Sequence, residues 1–483
     1  MTDRDLYLGG SWRSAHDHGT IEVRDPATGQ LVGRSAVALA ADVDDAVSLA
    51  KMAQPVWAAL PSAERARILH RAAALIVERI DAIALLLTRE QGKPVADSVK
   101  EIAFAAEVFD YYAEEGMRLA GSIRPVQRAD IRSLVEWLPI GVVGAVVPWN
   151  YPVDLYAWKV APALAAGNAI VVKPPLESPL AVALVVECLH DAGVPAGVLA
   201  DLPGGLEAGE RLSSHPGIGM ITATASTRTG QAIMRSAAGT MKRVSLELGG
   251  QSPFIVLADA DIAEAASAAA RRSFSNAGQI CIAVNRILVA ESVASEFVEA
   301  VAAEAKAIRI GHGIDSGVTG GPTTTRAVID TAERHIADAV SRGARVASGG
   351  GRLTGGSYDA GTFFEPTVLD GVPLGAASMT EETFGPVVAV HRYSSGAGVD
   401  EIAALANDSQ AGLAAYVFGG DLDRAWALAE RIDAGGVGVN VNDITELQAP
   451  FGGWKMSGFG RELGPEGLRG FLQQRHIRLR RRY

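Results

Sequence analysis

The chain has 483 residues, 48% hydrophobic and 20% charged, and a formal net charge of −11. That length exceeds what a single core organises, so two or three domains are expected, and the composition suits a packed globular fold rather than disorder. The acidic balance argues against a general nucleic-acid binder; two cysteines, Cys188 and Cys281, can form neither a disulfide framework nor a paired metal site, so no metal is expected.

In chain order, "MTDRDLYLGGSWRS" lacks the basic and apolar regions of a signal peptide. No apolar run reaches the ~18 to 20 residues of a membrane span, so a cytoplasmic protein with no membrane partner is expected. Residues 62–87 read as one amphipathic helix or two, opened by Ser62, and 95–117 continue in helical style. From 140 the character turns β-rich in "IGVVGAVVPWN", followed by a helix over "DLYAWKVAPALAAG" and the strand "NAIVVKP". A helix over 179–192 carries Cys188 in an apolar setting, where a thiol is a packing residue. Strand-like "GVLADLPGG" follows, and "ITATASTRTGQAI" (221–233) passes from a β-run into a helix. Residues 254–418 alternate again: "FIVL", a helix at 262–274, "RILVA", a helix near 294–307, and "AAYVFGG". Such alternation predicts an α/β fold of parallel sheets covered by helices. The tail "QQRHIRLRRRY" has five arginines in its last nine residues. It reads as a polar edge strand for another subunit, with Arg478, Arg480 and Arg482 on one face; a basic nucleic-acid arm is the weaker alternative.

Four stretches could carry chemistry. Cys281 lies in "FSNAGQICIAVNR", where Asn276, Gly278 and Gln279 suit a turn better than a core. Glu247 sits on the polar side of a short strand, "KRVSLELGG", whose Val244, Leu246 and Leu248 form the apolar side. Alone it reads as a solvated glutamate, but Gly249-Gly250 after a strand lets backbone or ligand come close, and a carboxylate there can serve as a general base. In "VVPWNYP", Pro148 and Pro152 stiffen the backbone around Asn150, a turn former whose amide could also donate to an oxyanion. Ser226, before Gly230, is first a helix cap, and the same helix start suits a pyrophosphate. Lys173 stands at the carboxyl end of a strand, the edge where parallel sheets hold ligands.

Together these stretches resemble the aldehyde dehydrogenase superfamily, from "YLGGSWRS…EVRDPATGQLVG" to "PFGGWKMSGFGRELG", with "PWNYP", "ELGG" and "GQIC" at the family's separations and Glu247 34 positions before Cys281. The resemblance implies a Rossmann-type cofactor domain (1–117 and 139–249), an α/β catalytic domain (250–450), a small β oligomerisation element (118–138 and 470–483) and a segment, 451–469, returning to the active site. It also implies a homodimer or homotetramer. It casts Cys281 as nucleophile, its thiol lowered in pKa by the site; Glu247 as base; Asn150 with the Cys281 N–H as oxyanion donors; and Lys159 and Glu462 as a proton relay. For the cofactor, NAD or NADP, it implies Val147, Pro148, Trp149, Lys173, Leu176, Gly205, Ser226, Gly230, Leu248, Glu382 and Phe384.

Three positions depart from the family pattern: Leu176 stands where a carboxylate is common, with Glu177 one later, and Ala225 and Ala223 replace a glycine and a phenylalanine. Without that carboxylate a 2′-phosphate is not repelled, so NADP is expected to be accepted at least comparably to NAD, with Arg228 a second cation. The substrate tunnel implied is Tyr151, Asp154, Leu155, Trp158, Ile280 and Ile282. Its walls favour an apolar aliphatic or aromatic aldehyde, with Asp154 disfavouring an anion; the alternative is a succinate-semialdehyde type anchored by Arg286 or another cation. Rival classes are a thioester or ester hydrolase on the same nucleophile, a coenzyme-A acylating enzyme, and a silent binding protein.

Overall fold

Two large twisted sheets dominate the computed structural model, which describes residues 3–481. The first sheet has eight strands, in the order Ser11–Arg13, Leu6–Leu8, Leu199–Asp201, Ala169–Lys173, Val142–Val146, Met220–Thr224, Arg243–Glu247 and Gly458–Phe459. The five from Leu199–Asp201 to Arg243–Glu247 run parallel. Helices lie between them in sequence, so both faces are covered. That is why "VVGAV" at 142–146 is apolar throughout and wholly buried rather than alternating. The chain steps outward from Val142–Val146 in one direction, then returns to start the other with Met220–Thr224, creating the switch point where such sheets hold ligands.

The second sheet has seven strands: Arg345–Ser348, Thr367–Asp370, Val387–Tyr393, Val284–Ala290, Ser252–Val256, Ala414–Phe418 and Gly436–Val439. All pair in parallel except the first. A third, three-stranded antiparallel sheet joins Ser122–Arg124, Ile131–Pro139 and Leu472–Arg480. In it the C-terminal strand lies at the edge, with Arg478 and Arg480 one pleat apart and largely exposed. Arg482, read with them, lies outside the described residues.

The run 62–87 divides into two helices, Ser62–Glu78 and Ile80–Gln91, because Arg79 leaves helical geometry (φ −102°, ψ 12°). The helix after Asp261 spans Ile262–Phe274, capped by the Asp261 carboxylate accepting from the Glu264 N–H. Cys188 is fully buried in the main core. No helix among the described residues is long and apolar enough to cross a membrane.

Candidate active site

The loop before Cys281 is a tight turn in which Asn276, Ala277 and Gly278 all take left-handed conformations (φ 50°, 52° and 73°). At Gly278 a Cβ would collide with the Gly385 carbonyl, so only glycine fits. The turn delivers Cys281, partly buried, against the main apolar core. Burial pushes its thiol up to about 12; Glu382 and Glu247 add to the rise and Arg272 opposes it. The expected lowering of the thiol pKa is therefore reversed in the free protein: desolvation disfavours a thiolate more than the neighbouring cation favours it.

Asn150 is held on three sides. Its amide donates to the Gln279 carbonyl at 3.0 Å, and its own carbonyl accepts from Lys93 Nζ at 2.8 Å and Asn276 Nδ2 at 3.0 Å. The amide thus points at the segment carrying the thiol.

Glu247 ends its strand with 3% exposure, and neither carboxylate oxygen has a hydrogen-bond partner. Its backbone carbonyl accepts from Ala225 N at 3.0 Å. Burial raises its pKa well above the usual carboxylate range, Glu462 raises it further, and Lys159, Arg461 and the nearby Gly453 N–H oppose. Two kinds of close approach explain the following glycines. A Cβ on Gly249 would strike the Glu382 carboxylate, and one on Gly250 would strike the Cys281 carbonyl. On the far side, a Cβ on Gly452 would come within 2.8 Å of Glu247 Oε1.

Beneath Glu247 lies a buried pair, Lys159 with Glu462, and Lys159 Nζ also donates to Thr224 Oγ1 at 2.7 Å. Glu462 arrives on a returning segment: Phe451 and Glu462 exchange backbone hydrogen bonds (2.7 and 2.8 Å), and Ser457 Oγ donates to the Gly249 carbonyl at 2.8 Å.

The apolar side gathers Leu155, Trp158, Ile280 and Ile282 into one buried cluster, with Tyr151 packed against it. Phe451 stacks edge-on against Trp158 at 5.1 Å. Asp154 accepts from Trp158 Nε1 at 2.8 Å, and burial followed by the Glu101 charge pushes its pKa well up. The ionised form that would repel an anion is thereby disfavoured. Arg286 is no anchor either: it is 1% exposed and donates to the Leu405, Ala406 and Asp408 carbonyls at 2.7 to 3.0 Å, closing the carboxyl end of the helix Val399–Asn407. The cation whose charge reaches Cys281 and Tyr151 is Arg272, paired with Asp443 at 2.5 Å and donating to the Asn442 carbonyl at 2.6 Å. Sequence reasoning missed it, because two adjacent arginines on a helix give no sign of which turns inward.

The carboxyl edge of the first sheet holds the remaining residues. Val147 is buried, its N–H donating to the Lys173 carbonyl at 3.1 Å, and Trp149, after Pro148, meets Phe384 edge-on at 5.5 Å. Lys173 Nζ donates to the Gly204 and Pro174 carbonyls at 2.8 and 3.3 Å, with no ion pair to an acid among the described residues; burial lowers its pKa and the Glu177 charge opposes. Leu176 is half-buried beside exposed Glu177. Gly205 would leave an added Cβ in open space, whereas one on Gly230 would meet Leu248 at 2.6 Å. Ser226 caps the helix Thr227–Ala238 by accepting from Thr229 N at 3.3 Å; Arg228 is exposed on its first turn. Glu382 accepts from Gly250 N at 3.0 Å and is pushed up to about 7 by burial.

A ligand edge with a helix start and a lysine ammonium, set beside a partly buried thiol and a buried carboxylate, is the layout of a dinucleotide-dependent enzyme. The model of the aldehyde dehydrogenase family matches residues 12–477. Glutarate-semialdehyde dehydrogenase of Pseudomonas putida is 40% identical over 475 residues, covering 98% of this chain and 97% of that protein. The succinate-semialdehyde dehydrogenase [NADP(+)] of Escherichia coli K12 is 40% identical over 483 residues, 99% of each. The solved structure of PnpE in complex with nicotinamide adenine dinucleotide has a TM-score of 0.96 at 38% identity, covering 99% of this chain and 98% of that one. The chain belongs to the aldehyde dehydrogenase family, and its reaction is the oxidation of an aldehyde with NAD or NADP.

The residues at the sheet edge fit such a dinucleotide. Lys173 has an ammonium bonded only to carbonyls, with the Glu177 charge nearby, the helix at Thr227 presents N–H groups, and Glu382 supplies a partly buried acceptor for hydroxyls.

Proposed function

We propose that Cys281 carries the reaction, with Asn150 and Glu247 as its partners. The observation that carries this reading is Glu247: a buried carboxylate with both oxygens unpaired, its charge felt at the thiol. Such a group is costly to keep unless it handles a proton. Because the thiol is held protonated, its proton leaves as sulfur attacks the aldehyde carbon, and Glu247, with its raised proton affinity, is placed to take it. The Asn150 amide and the Cys281 N–H stabilise the oxyanion of the thiohemiacetal. The dinucleotide, when bound, accepts the hydride. What remains on Cys281 is a thioester; Glu247 deprotonates a water that adds to it, the acid leaves, and the thiol is restored. Protons taken by Glu247 pass toward Lys159 and Glu462. A thioester hydrolase would need none of the residues at the sheet edge.

For the cofactor we propose that Lys173 and Glu382 hold the two riboses, Ser226 and its helix the pyrophosphate, and Val147, Pro148, Trp149, Gly205, Gly230, Leu248 and Phe384 the pocket walls. Leu176 offers no charge against a 2′-phosphate, so NADP⁺ is accepted at least comparably to NAD⁺. Leu176→Glu should swing kcat/KM toward NAD⁺ by about tenfold, on the order of 1.4 kcal/mol. A wild-type enzyme preferring NAD⁺ a hundredfold would overturn this.

For the substrate, the disfavoured charge of Asp154 and the nearness of Arg272, itself paired with Asp443, shift the balance from a wholly apolar aldehyde to one with a short aliphatic body and a distal acid. The two semialdehyde dehydrogenases among the relatives support that class. Ranking succinate and glutarate semialdehyde against hexanal and benzaldehyde by kcat/KM tests it; hexanal or benzaldehyde in first place would reverse it. We also propose the domain division anticipated above, and self-assembly through the exposed edge strand Leu472–Arg480, whose outer backbone groups need a partner. A monomeric mass in solution would exclude the assembly.

A further inference from the structure

We propose that Lys93 and Glu101 form a positioning pair that sets where the Asn150 amide stands relative to Cys281. Both side chains are fully buried and paired with one another. Lys93 Nζ also donates to the Asn150 carbonyl at 2.8 Å and lies 3.7 Å from the centre of the Tyr151 ring. An ammonium has three protons, and here each has its own receiver: a carboxylate, a carbonyl and a π face. The other oxygen of Glu101 accepts from the N–H groups of Val153 and Asp154, at 2.9 and 3.3 Å, in the first turn of the helix Pro152–Ala165. One ion pair therefore grips four of the five residues 150–154: the Asn150 carbonyl, the Tyr151 ring and the N–H groups of Val153 and Asp154.

The same carbonyl receives Asn276 Nδ2, whose Oδ1 accepts from Gln91 Nε2 at 2.9 Å. Lys93 N in turn donates to Gln91 Oε1 at 3.0 Å. The nucleophile turn and the oxyanion donor are thus referenced to one short stretch, 91–101, which itself touches neither the thiol nor the carboxylate Glu247 by hydrogen bond. The oxyanion contact tolerates little displacement, since donors act only within about 2.7 to 3.1 Å of the developing charge. A shift of the 150–154 segment would weaken that contact while leaving the cofactor edge in place.

The inference rests on the reading of Asn150 as oxyanion donor, and a double-mutant cycle separates the two. Asn150→Ala, Lys93→Met and the double variant are compared by kcat/KM for the aldehyde, with NAD(P)⁺ affinity followed by quenching of protein fluorescence. Acting through Asn150, Lys93→Met should lower kcat/KM about tenfold or more in the wild type and by less than about twofold in the Asn150→Ala background, with cofactor affinity unchanged. Equal losses in both backgrounds, or a parallel loss of cofactor binding, would overturn the pair as a positioning device. Unchanged activity in Asn150→Ala alone would instead sink the oxyanion reading. If Lys93→Met does not fold, Glu101→Gln enters the same cycle with the same expectations, and Lys93→Arg should recover part of the rate by keeping the charge on Glu101.

Discussion

Two buried lysine–glutamate pairs flank the helix Pro152–Ala165, and they are finished differently. At its start, Lys93 and Glu101 have every polar atom engaged: three receivers for the ammonium, three donors for the carboxylate. Two turns on, Lys159 is equally buried and bonded to Glu462 and Thr224, yet Glu462 Oε2 and both oxygens of Glu247 lack partners. A satisfied buried pair fixes geometry. An unsatisfied cluster of two acids and one base stores proton affinity, and the raised pKa of Glu247 is its signature. On the function proposed above, position and proton transfer fall to separate ion pairs within one core.

Substitutions can break that contrast. Cys281→Ala should abolish oxidation, by at least about 10⁴-fold, with cofactor binding retained in a fluorescence titration; several per cent of residual turnover would mean another nucleophile. Glu247→Gln should lower steady-state turnover by roughly a hundredfold or more and should slow the first burst of reduced cofactor as well, because neither the thiol nor the water then has its base. A wild-type rate would hand the role of base elsewhere. In chemical denaturation, Lys93→Met should cost about 3 to 5 kcal/mol by leaving Glu101 buried and uncompensated, whereas Glu462→Gln, which removes an acid beside Glu247, should cost much less. Equal costs would erase the distinction drawn here. The smallest effect is on pH. Glu247 must be ionised to act as base, so activity rises with pH through its raised pKa. Glu462→Gln removes a charge that raises that pKa and should move the acidic limb to lower pH; Lys159→Met removes one that lowers it and should move the limb upward.

Much of the site was legible because its chemistry demands unusual local backbone. Gly249-Gly250 announced a close approach, and the structure gives each its own neighbour, the Glu382 carboxylate and the Cys281 carbonyl. Asn276 and Gly278 announced a turn, and both are left-handed. What could not be read was anything set by burial from a distant segment. Glu101 looks like any polar residue on a long helix until 150–154 packs over it. Asp154 looked like a repelling charge, but desolvation disfavours its ionised form. Arg286 looked available, yet its strand, Val284–Ala290, is buried throughout and the guanidinium is consumed by helix-end carbonyls. The sign of the Cys281 shift failed for the same reason: composition reveals neighbouring charges but not the water they lose.

The height of that thiol pKa has a practical side. Cys188, pushed up to about 11, and Cys281, at about 12, would both stay protonated in the free protein at neutral pH, and alkylating agents and mild oxidants attack thiolates. The folded protein should therefore react slowly with such reagents at both thiols. Iodoacetamide at neutral pH should label it slowly while folded, and quickly at both positions once denaturant returns the thiols to their ordinary pKa of ~8.5.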